Sequence, residues 1–271
     1  MDRPLVVLDT ENAALQGAPH LVELGAVRVV DGEIEDTFES LVRPSVPIDP
    51  EVSEIHGIRE DDVRDAPDAA EVLTRFGEWA GDDWLAAHNS GADAHVLGFE
   101  YARHGLTDEP TGPFLDSLAL ARKHIPESPD HKLATLSEHL ELEDSDRHRA
   151  LADAVTCWKV IEECMERAGG LDGLRMAEWL AQSGTPITIT GRRPGEPRVP
   201  RRARRLVEAT RNSEEIQLLY GDSASPPARL SVLPRFLYER HQKGYLEAEC
   251  LSSGMLKTYL LGRVQRVLEP R

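Results

Sequence analysis

The run PLVVLDTEN, residues 4–12, is an apolar segment of strand length that ends in two carboxylates. Side chains alternate between the faces of a strand, so Asp9 and Glu11 share one face while Thr10 points away. Open sheets carry their sites at strand ends, and the run therefore predicts a buried strand that delivers two acids to a site. The alternative is an ordinary polar strand end, because a chain with 48 acids places two of them at this spacing by chance about eight times.

The segments around this strand predict an α/β domain. Residues 20–30 and 33–42 predict two strands joined by a tight turn at Asp31-Gly32, which begins a mixed sheet. Residues 43–58 form a stretch that is rich in turn residues. Periodicity and helix-ending residues then predict strands within 83–89 and 114–121, and helices near 68–80, 92–104, 131–140 and 149–168.

Two further motifs place acids and a histidine where helices begin. HNSGAD, residues 88–93, ends a predicted strand, although Asp93 in a first helical turn is also explained by the positive end of the helix dipole. HRALAD, residues 148–153, opens the long helix, and five residues on a straight helix leave His148 and Asp153 about 140° apart. Both can address one site only if His148 lies in the preceding loop. The alternative is that His148 faces solvent within a polar run.

The chemistry of these acids predicts bound metal. If brought together, Asp9, Glu11, Asp93 and Asp153 would repel one another, and a hard divalent cation with oxygen ligands relieves that repulsion. The expected cofactors are two divalent metal ions, Mg²⁺ or Mn²⁺, which at about 4 Å separation can activate a water and hold a scissile phosphate. A neutral histidine beside them can accept the proton of that water.

In this order and spacing, VVLDTEN, HNSGAD and HRALAD resemble the three motifs of the DEDDh 3′–5′ exonucleases, typified by the proofreading epsilon subunit of bacterial DNA polymerase III. The resemblance covers about residues 4–168, with support from EIHGI at 54–58 and FLDSLALAR at 114–122. It implies a ribonuclease-H-like fold, a mixed five-stranded sheet flanked by helices, that removes nucleotides from 3′ ends with two metal ions. By position, it makes Asp9, Glu11, Asp93 and Asp153 the metal ligands and His148 the general base.

The same resemblance implies a set of substrate contacts, namely Thr10, Asn12, His56, Ile58 and Asn89. Asn12 stands where relatives often have threonine, and Ala92 stands where they often have an aromatic residue. For His56 the alternative is a turn histidine bonded to the backbone. For Asn89 the alternative is a residue that ties its own loop together.

The distribution of charge divides the chain. The formal net charge of −17 would argue against a nucleic-acid partner if it were uniform. Residues 1–190 hold 15 basic and 39 acidic side chains, a net charge of −24, whereas residues 191–271 hold 16 and 9, a net charge of +7. The segment 191–205, GRRPGEPRVPRRARR, marks the change and predicts a linker. The predicted parts are an exonuclease domain (1–170), a helix and basic linker (171–200) and a carboxyl-terminal domain (201–271).

Beyond the linker, a helix and several strand-like segments predict a small, mostly β unit. The strand-like segments are IQLLYGD, ARLSVLPRFLYER, GYLEAECLS and MLKTYLLGRVQRV. Residues 200–271 resemble a WYL domain, which implies a small SH3- or Sm-like barrel that senses nucleic acids or nucleotides, although Gly244 stands where tryptophan is usual. The corresponding binding candidates are Arg235, Tyr245, Lys257 and Arg263, with a core position as the alternative for Tyr245.

Composition excludes other classes of protein. No stretch approaches the ~20 consecutive apolar residues of a membrane-spanning helix, and the first residues fit neither a secretory signal nor a transit peptide, so a cytoplasmic protein is expected. Three cysteines at these spacings are expected to be free thiols.

Together these features predict a metal-dependent 3′–5′ exonuclease whose partner is nucleic acid, DNA rather than RNA, bound as a single strand or at a 3′ end. The basic carboxyl-terminal domain would bind the nucleic acid. The alternative is a nucleic-acid or nucleotide sensor that uses an exonuclease fold for binding. No polymerase-binding segment is recognisable, so the sequence leaves a polymerase partner unknown.

Overall fold

The structure, a computed structural model, describes residues 3–142, 149–170, 175–222 and 226–269. The chain folds as two compact units, Met1–Arg193 and Pro194–Arg271. The boundary falls inside the segment 171–200, for which the sequence predicts a helix and a basic linker. In the described part of the chain, no helix has the length and apolar character needed to cross a membrane.

The amino-terminal unit is built on a mixed five-stranded sheet, as the sequence predicts. Its strands are β1 (Leu5–Asn12), β2 (Leu21–Val30), β3 (Glu33–Leu41), β4 (Trp84–Ala87) and β5 (Phe114–Asp116), in the order β3-β2-β1-β4-β5. The strand β1 is antiparallel to β2 and parallel to β4. Its apolar run is fully buried because β1 is central and both sheet faces are covered.

Eight described helices belong to this unit. They are α1 (Pro50–His56), α2 (Glu60–Val63), α3 (Ala69–Ala80), α4 (Gly91–Arg103), α5 (Ser117–His124), α6 (Leu133–His139), α7 (Ala150–Arg167) and α8 (Met176–Gln182). One apolar layer joins the sheet to α3 and α4, and the other joins it to α5, α6, α7 and α8. This arrangement is a ribonuclease-H-like fold.

The structure corrects two predictions of local structure in this unit. The turn-rich segment 43–58 contains α1, which begins with a proline after Asp49 and ends at Gly57 in the left-handed conformation. The segment 114–121 is mostly helical, because the Asp116 side chain accepts a hydrogen bond from the backbone N–H of Leu118 and caps α5. Only three residues of that segment remain in β5.

A buried glutamate connects α4 to the start of β2. Glu100 is 2% exposed, accepts a hydrogen bond from the backbone N–H of Leu21 at 3.0 Å and forms an ion pair with Arg103 at 2.6 Å. Burial alone would raise its pKa, but Arg103 and His104 outweigh burial and lower the pKa to about 2. The carboxylate is therefore more stable in the folded chain than in the unfolded chain.

We expect Glu100→Gln to lower the free energy of unfolding at pH 7 by about 3 kcal/mol, because a difference of one pKa unit corresponds to about 1.4 kcal/mol. The folded pKa is depressed, so this contribution is present above the ordinary value of 4.5 and is lost as the pH falls towards 2. Urea unfolding at pH 7 and pH 3 should show the difference from wild type shrinking at the lower pH. Glu78→Gln, at an exposed site of α3, is the control; an equal loss at both pH values would contradict the prediction.

The carboxyl-terminal unit contains α9 (Arg205–Asn212) and a second five-stranded sheet that is antiparallel throughout. Its strands are β6 (Ile216–Tyr220), β7 (Ala228–Arg240), β8 (Lys243–Cys250), β9 (Met255–Leu260) and β10 (Val264–Leu268), in the order β10-β6-β7-β8-β9. The segment MLKTYLLGRVQRV, predicted as one strand, is two strands separated by a 3₁₀ turn at Leu261–Arg263. Cys157, Cys164 and Cys250 are free thiols, as expected.

The second sheet is strongly curled. Its edge strands β9 and β10 are joined through Leu261–Arg263, so Leu260 and Val264 are at most about 14 Å apart. Five flat strands would separate the two edges by about 19 Å. In agreement with curling, the backbone N–H of Leu260 on β9 donates to the hydroxyl of Tyr220 on β6 at 3.1 Å, although two strands lie between them in the sheet.

Candidate functional site

Three of the predicted acids converge at the end of the central strand. Asp9 and Glu11 lie on β1, and Asp153 lies in the first turn of α7. One carboxylate oxygen from each of them lies within 4.8 Å of the other two, and all three side chains are half-buried. The structure therefore brings together three acids that the sequence separates by up to 144 positions.

The register of β1 and β2 explains how Asp153 arrives there. Asp9 lies opposite Gly25, and Glu11 lies opposite Glu23. The first turn of α7 lies directly on β2 at Gly25, where an added Cβ would be 2.1 Å from the backbone nitrogen of Leu151. Only glycine permits this close approach. The helix that carries Asp153 is thus placed beside the two acids of β1.

Glu23, two residues before Gly25 on β2, holds the amino-terminal end of α7 in place. This carboxylate is completely buried and accepts hydrogen bonds from Arg149 Nε at 2.9 Å, Arg149 Nη2 at 2.6 Å and the backbone N–H of Ala150 at 2.9 Å. A carboxylate at the first N–H groups of a helix is also favoured by the helix dipole. Sequence reasoning missed Glu23, Gly25 and Arg149, because their contacts join segments about 125 residues apart and leave no local pattern.

The electrostatics of the cluster are those of crowded like charges. Burial, followed by the negative charges of Asp93, Glu11 and Asp153, raises the pKa of Asp9 well above its ordinary value. Burial, followed by the charges of Asp153 and Glu23, raises the pKa of Glu11 to about 8. The chain alone therefore holds these carboxylates together only at a cost in free energy.

The fourth predicted acid is held separately. Asp93 lies in the first turn of α4, is 4% exposed and accepts a hydrogen bond from the Thr10 hydroxyl at 2.9 Å. Burial raises the pKa of Asp93 to about 7 even though the bond from Thr10 lowers it. Asp93 is not part of the three-acid cluster. Thr10, the residue between Asp9 and Glu11, orients Asp93 through this bond.

The loop before α4 is fixed by residues outside the motifs. Asn89 adopts the left-handed conformation, with φ of 63°, and its backbone N–H donates to Asp116 at 3.0 Å. Both ring nitrogens of His88 are hydrogen-bonded, one to the Ser117 hydroxyl and one to the carbonyl of His131, each at 2.8 Å. The bond to Asp116 is made by the backbone of Asn89, so the Asn89 side chain stays a candidate for substrate contact.

The remaining predicted contacts of this unit lie near the end of β1. Asn12 is half-buried, and its side-chain carbonyl has no hydrogen-bond partner among the described residues. His56 is 4% exposed, and its Nδ1 accepts a hydrogen bond from the backbone N–H of Ile58 at 3.0 Å. Ile58 is buried in an apolar cluster with Ala13 and Val22. His148 lies outside the described residues, directly before Arg149.

The four candidates of the carboxyl-terminal unit are spread over β7, β8, β9 and the turn after β9. Arg235 forms an ion pair with Glu249 at 2.9 Å. Tyr245 is half-buried and stacks on Tyr238, with ring centroids 5.4 Å apart. Lys257 and Arg263 are exposed. The structure gives Arg235 an acidic partner and Tyr245 a packing role.

A profile of the family described as Exonuclease (RNase_T) matches residues 6–161, which is more than half of the chain. The chain belongs to the Exonuclease family. The chain is 36% identical over 167 residues to the DNA polymerase III PolC-type of Oceanobacillus iheyensis, and this match covers 60% of the chain. It spans only 12% of the length of that curated relative.

Solved structures extend the comparison. "Exonuclease X in complex with 5′ overhanging duplex DNA" is 29% identical with a TM-score of 0.53, and the match covers 66% of this chain and 99% of that one. A structure of exonuclease I has a TM-score of 0.55 at 12% identity and covers 99% of this chain and 65% of that one. The latter similarity concerns the fold alone, and it extends past the amino-terminal unit.

Proposed function

We propose that this chain is a metal-dependent 3′–5′ exonuclease that hydrolyses phosphodiester bonds at the 3′ ends of nucleic acid, DNA rather than RNA. The observation that carries the proposal is the cluster of Asp9, Glu11 and Asp153 within 4.8 Å, in a chain of the Exonuclease family. The structure at 29% identity is that of exonuclease X in complex with 5′ overhanging duplex DNA, which supports DNA as the substrate.

The donor set fits divalent metal. It consists of carboxylate oxygens only, which Mg²⁺ and Mn²⁺ prefer, and burial together with the repulsion of neighbouring acids raises the pKa values of Asp9 and Glu11 in the chain alone. We assign Asp9, Glu11, Asp153 and Asp93 as the ligands of two ions. When bound, such ions activate water and stabilise the charge that develops on the phosphate oxygens.

The residues of this chain supply proton transfer and positioning. We assign His148 as the general base, because it directly precedes Arg149, whose side chain Glu23 fixes beside the cluster. Thr10 orients Asp93 through its hydroxyl. Asn12, whose side-chain carbonyl lacks a partner in the described part of the chain, and His56, Ile58 and Asn89 are the proposed contacts to the terminal nucleotide.

We further propose that the carboxyl-terminal unit is a WYL-like, SH3- or Sm-like barrel that binds nucleic acid. The curl of its sheet, the 3₁₀ turn between its last two strands and the net charge of +7 over residues 191–271 support this assignment. The acidic amino-terminal unit would repel a polyanion except at its metals, so capture of the strand is assigned to the basic unit. Arg235, Tyr245, Lys257 and Arg263 stay candidates for this binding.

The test is digestion of single- and double-stranded DNA and RNA, labelled at either end, with Mg²⁺, Mn²⁺ or EDTA. We expect stepwise shortening of the 5′-labelled strand and release of the 3′ label as mononucleotide, only when metal is present. His148→Ala should slow the reaction by about 10²–10⁴-fold, the usual contribution of a general base. His139→Ala, on α6, is the control.

One result would count against the proposed nuclease activity, and another would count against the assignment of His148 as the general base. Trimming of no substrate under any metal condition would favour a sensor that uses the exonuclease fold for binding. Full activity of His148→Ala would remove His148 from the mechanism without removing the nuclease activity.

A further inference from the structure

A 3₁₀ turn at Arg201–Ala203 is anchored on the curled sheet by its middle arginine. Arg202 Nε donates to the carbonyl of Val264, and its Nη2 donates to the carbonyl of Gly262 at 2.8 Å. Ala203 is completely buried in the core of the unit. This turn is therefore fixed directly beside the second turn, Leu261–Arg263.

Arg201 and Arg204, at the two ends of the 3₁₀ turn, are exposed to solvent on the same side of that turn. A 3₁₀ helix has three residues per turn, so side chains at positions i and i+3 are eclipsed. Arg201 and Arg204 are such a pair, and Arg204 retains helical backbone angles. Both are exposed, as is Arg263, the residue after the Gly262 that Arg202 binds. We call Arg201, Arg204 and Arg263 the arginine surface.

The nearby acids do not neutralise the arginine surface. Arg205 forms ion pairs with Glu208, Glu214 and Glu269. Among the described residues, no carboxylate oxygen lies within 4 Å of a guanidinium nitrogen of Arg201, Arg204 or Arg263. The surface therefore keeps its positive charge, whereas Arg235 on β7 is paired with Glu249.

We propose that the arginine surface binds the phosphate backbone of single-stranded nucleic acid. The inference rests on the proposed nuclease function, and it locates the step of strand capture on residues 201, 204 and 263. Guanidinium groups match phosphate geometry and are always charged, and three on a rigid support offer fixed donors without any requirement for base sequence. Binding of this kind is set by counterion release and depends steeply on salt.

The test is fluorescence anisotropy of a labelled single-stranded oligodeoxynucleotide with the full chain in EDTA, over a series of salt concentrations. Arg201→Glu/Arg204→Glu should weaken binding by at least roughly 25-fold at about 0.1 M salt and reduce the slope of log K against log salt by about 1.4, the loss of two phosphate contacts. Arg211→Glu/Lys243→Glu changes the net charge equally at the end of α9 and at the β7–β8 turn, and is the matched control.

Equal loss of affinity in both double variants, or an unchanged salt slope in the first, would overturn the proposal. Equal competition by polyglutamate of the same total charge would also overturn it, since that result describes a surface for any polyanion. If Arg201→Glu/Arg204→Glu unfolds, Arg201→Gln/Arg204→Gln replaces it in the same measurement, because glutamine removes the positive charges without adding negative ones. Cleavage of a dinucleotide by the wild-type chain with Mg²⁺ is measured separately, so failure of the nuclease proposal is distinguishable.

Discussion

Asp9→Asn is expected to reduce nuclease activity by about 10³-fold or more without lowering the stability of the metal-free chain. The activity falls because the variant loses a negatively charged ligand, and bound metal supplies several kcal/mol of stabilisation to the transition state, with each 1.36 kcal/mol worth a factor of ten. The stability is kept because burial, followed by the charges of Asp93 and Glu11, raises the pKa of Asp9, so asparagine replaces a carboxylate whose charged form is disfavoured in the folded chain. Initial rates with Mg²⁺ and urea unfolding in EDTA measure the two effects.

Glu35→Gln provides the control for this pair of measurements, because it removes a carboxylate of similar size from an exposed position of β3. It should change neither the initial rate with Mg²⁺ nor the free energy of unfolding in EDTA by a measurable amount. An Asp9→Asn variant that kept most of its nuclease activity would show that the three-acid cluster is not the metal site. A variant that lost activity together with several kcal/mol of stability would instead assign Asp9 a structural role.

The sequence predicts which acids form the site better than it predicts the contacts that hold those acids in place. Asp9 and Glu11 are found because alternation along a strand and the apolar run before them are local features. Motif order then selects Asp93 and Asp153 from 48 acids. The contacts that bring these groups together are non-local: Glu23 binds Arg149, and Thr10 binds Asp93. In neither pair does the pattern of residues around one partner indicate which distant residue it contacts.

The errors in local structure have a similar physical origin. The segment 114–121 is apolar enough for a strand, but one capping bond from Leu118 to Asp116 begins a helix after three residues. The segment MLKTYLLGRVQRV has no proline and only one glycine to mark a break, yet the 3₁₀ turn at Leu261–Arg263 divides it into the two edge strands of the curled sheet. Curvature is a property of the whole sheet, so a single strand sequence does not specify it.

Gly25→Ala is expected to damage stability and activity together, since the added methyl group would lie 2.1 Å from the backbone nitrogen of Leu151 and 2.2 Å from the backbone carbon of Ala150. Backbone cannot move aside as a flexible side chain can, so α7 must shift away from β2 and carry Asp153 with it. Overpacking of this kind costs roughly 1–3 kcal/mol or more. We expect a loss of at least that size in urea unfolding and a fall in activity of about 10²-fold, because small displacements of reacting groups are costly.

Gly262→Ala is the matched control, because an added Cβ there meets no atom within 4 Å. If Gly25→Ala fails to fold, Glu23→Gln tests the same placement of α7: it weakens the bonds to Arg149 and Ala150, each worth about 1.5–3 kcal/mol for a charged partner, while it keeps the volume of the side chain. Activity of Glu23→Gln should fall more than its stability predicts, with a weaker apparent affinity for Mg²⁺. Unchanged metal affinity in that folded variant would show that Asp153 reaches the cluster without the contacts of β2, and the register of β1 and β2 would then not determine the site.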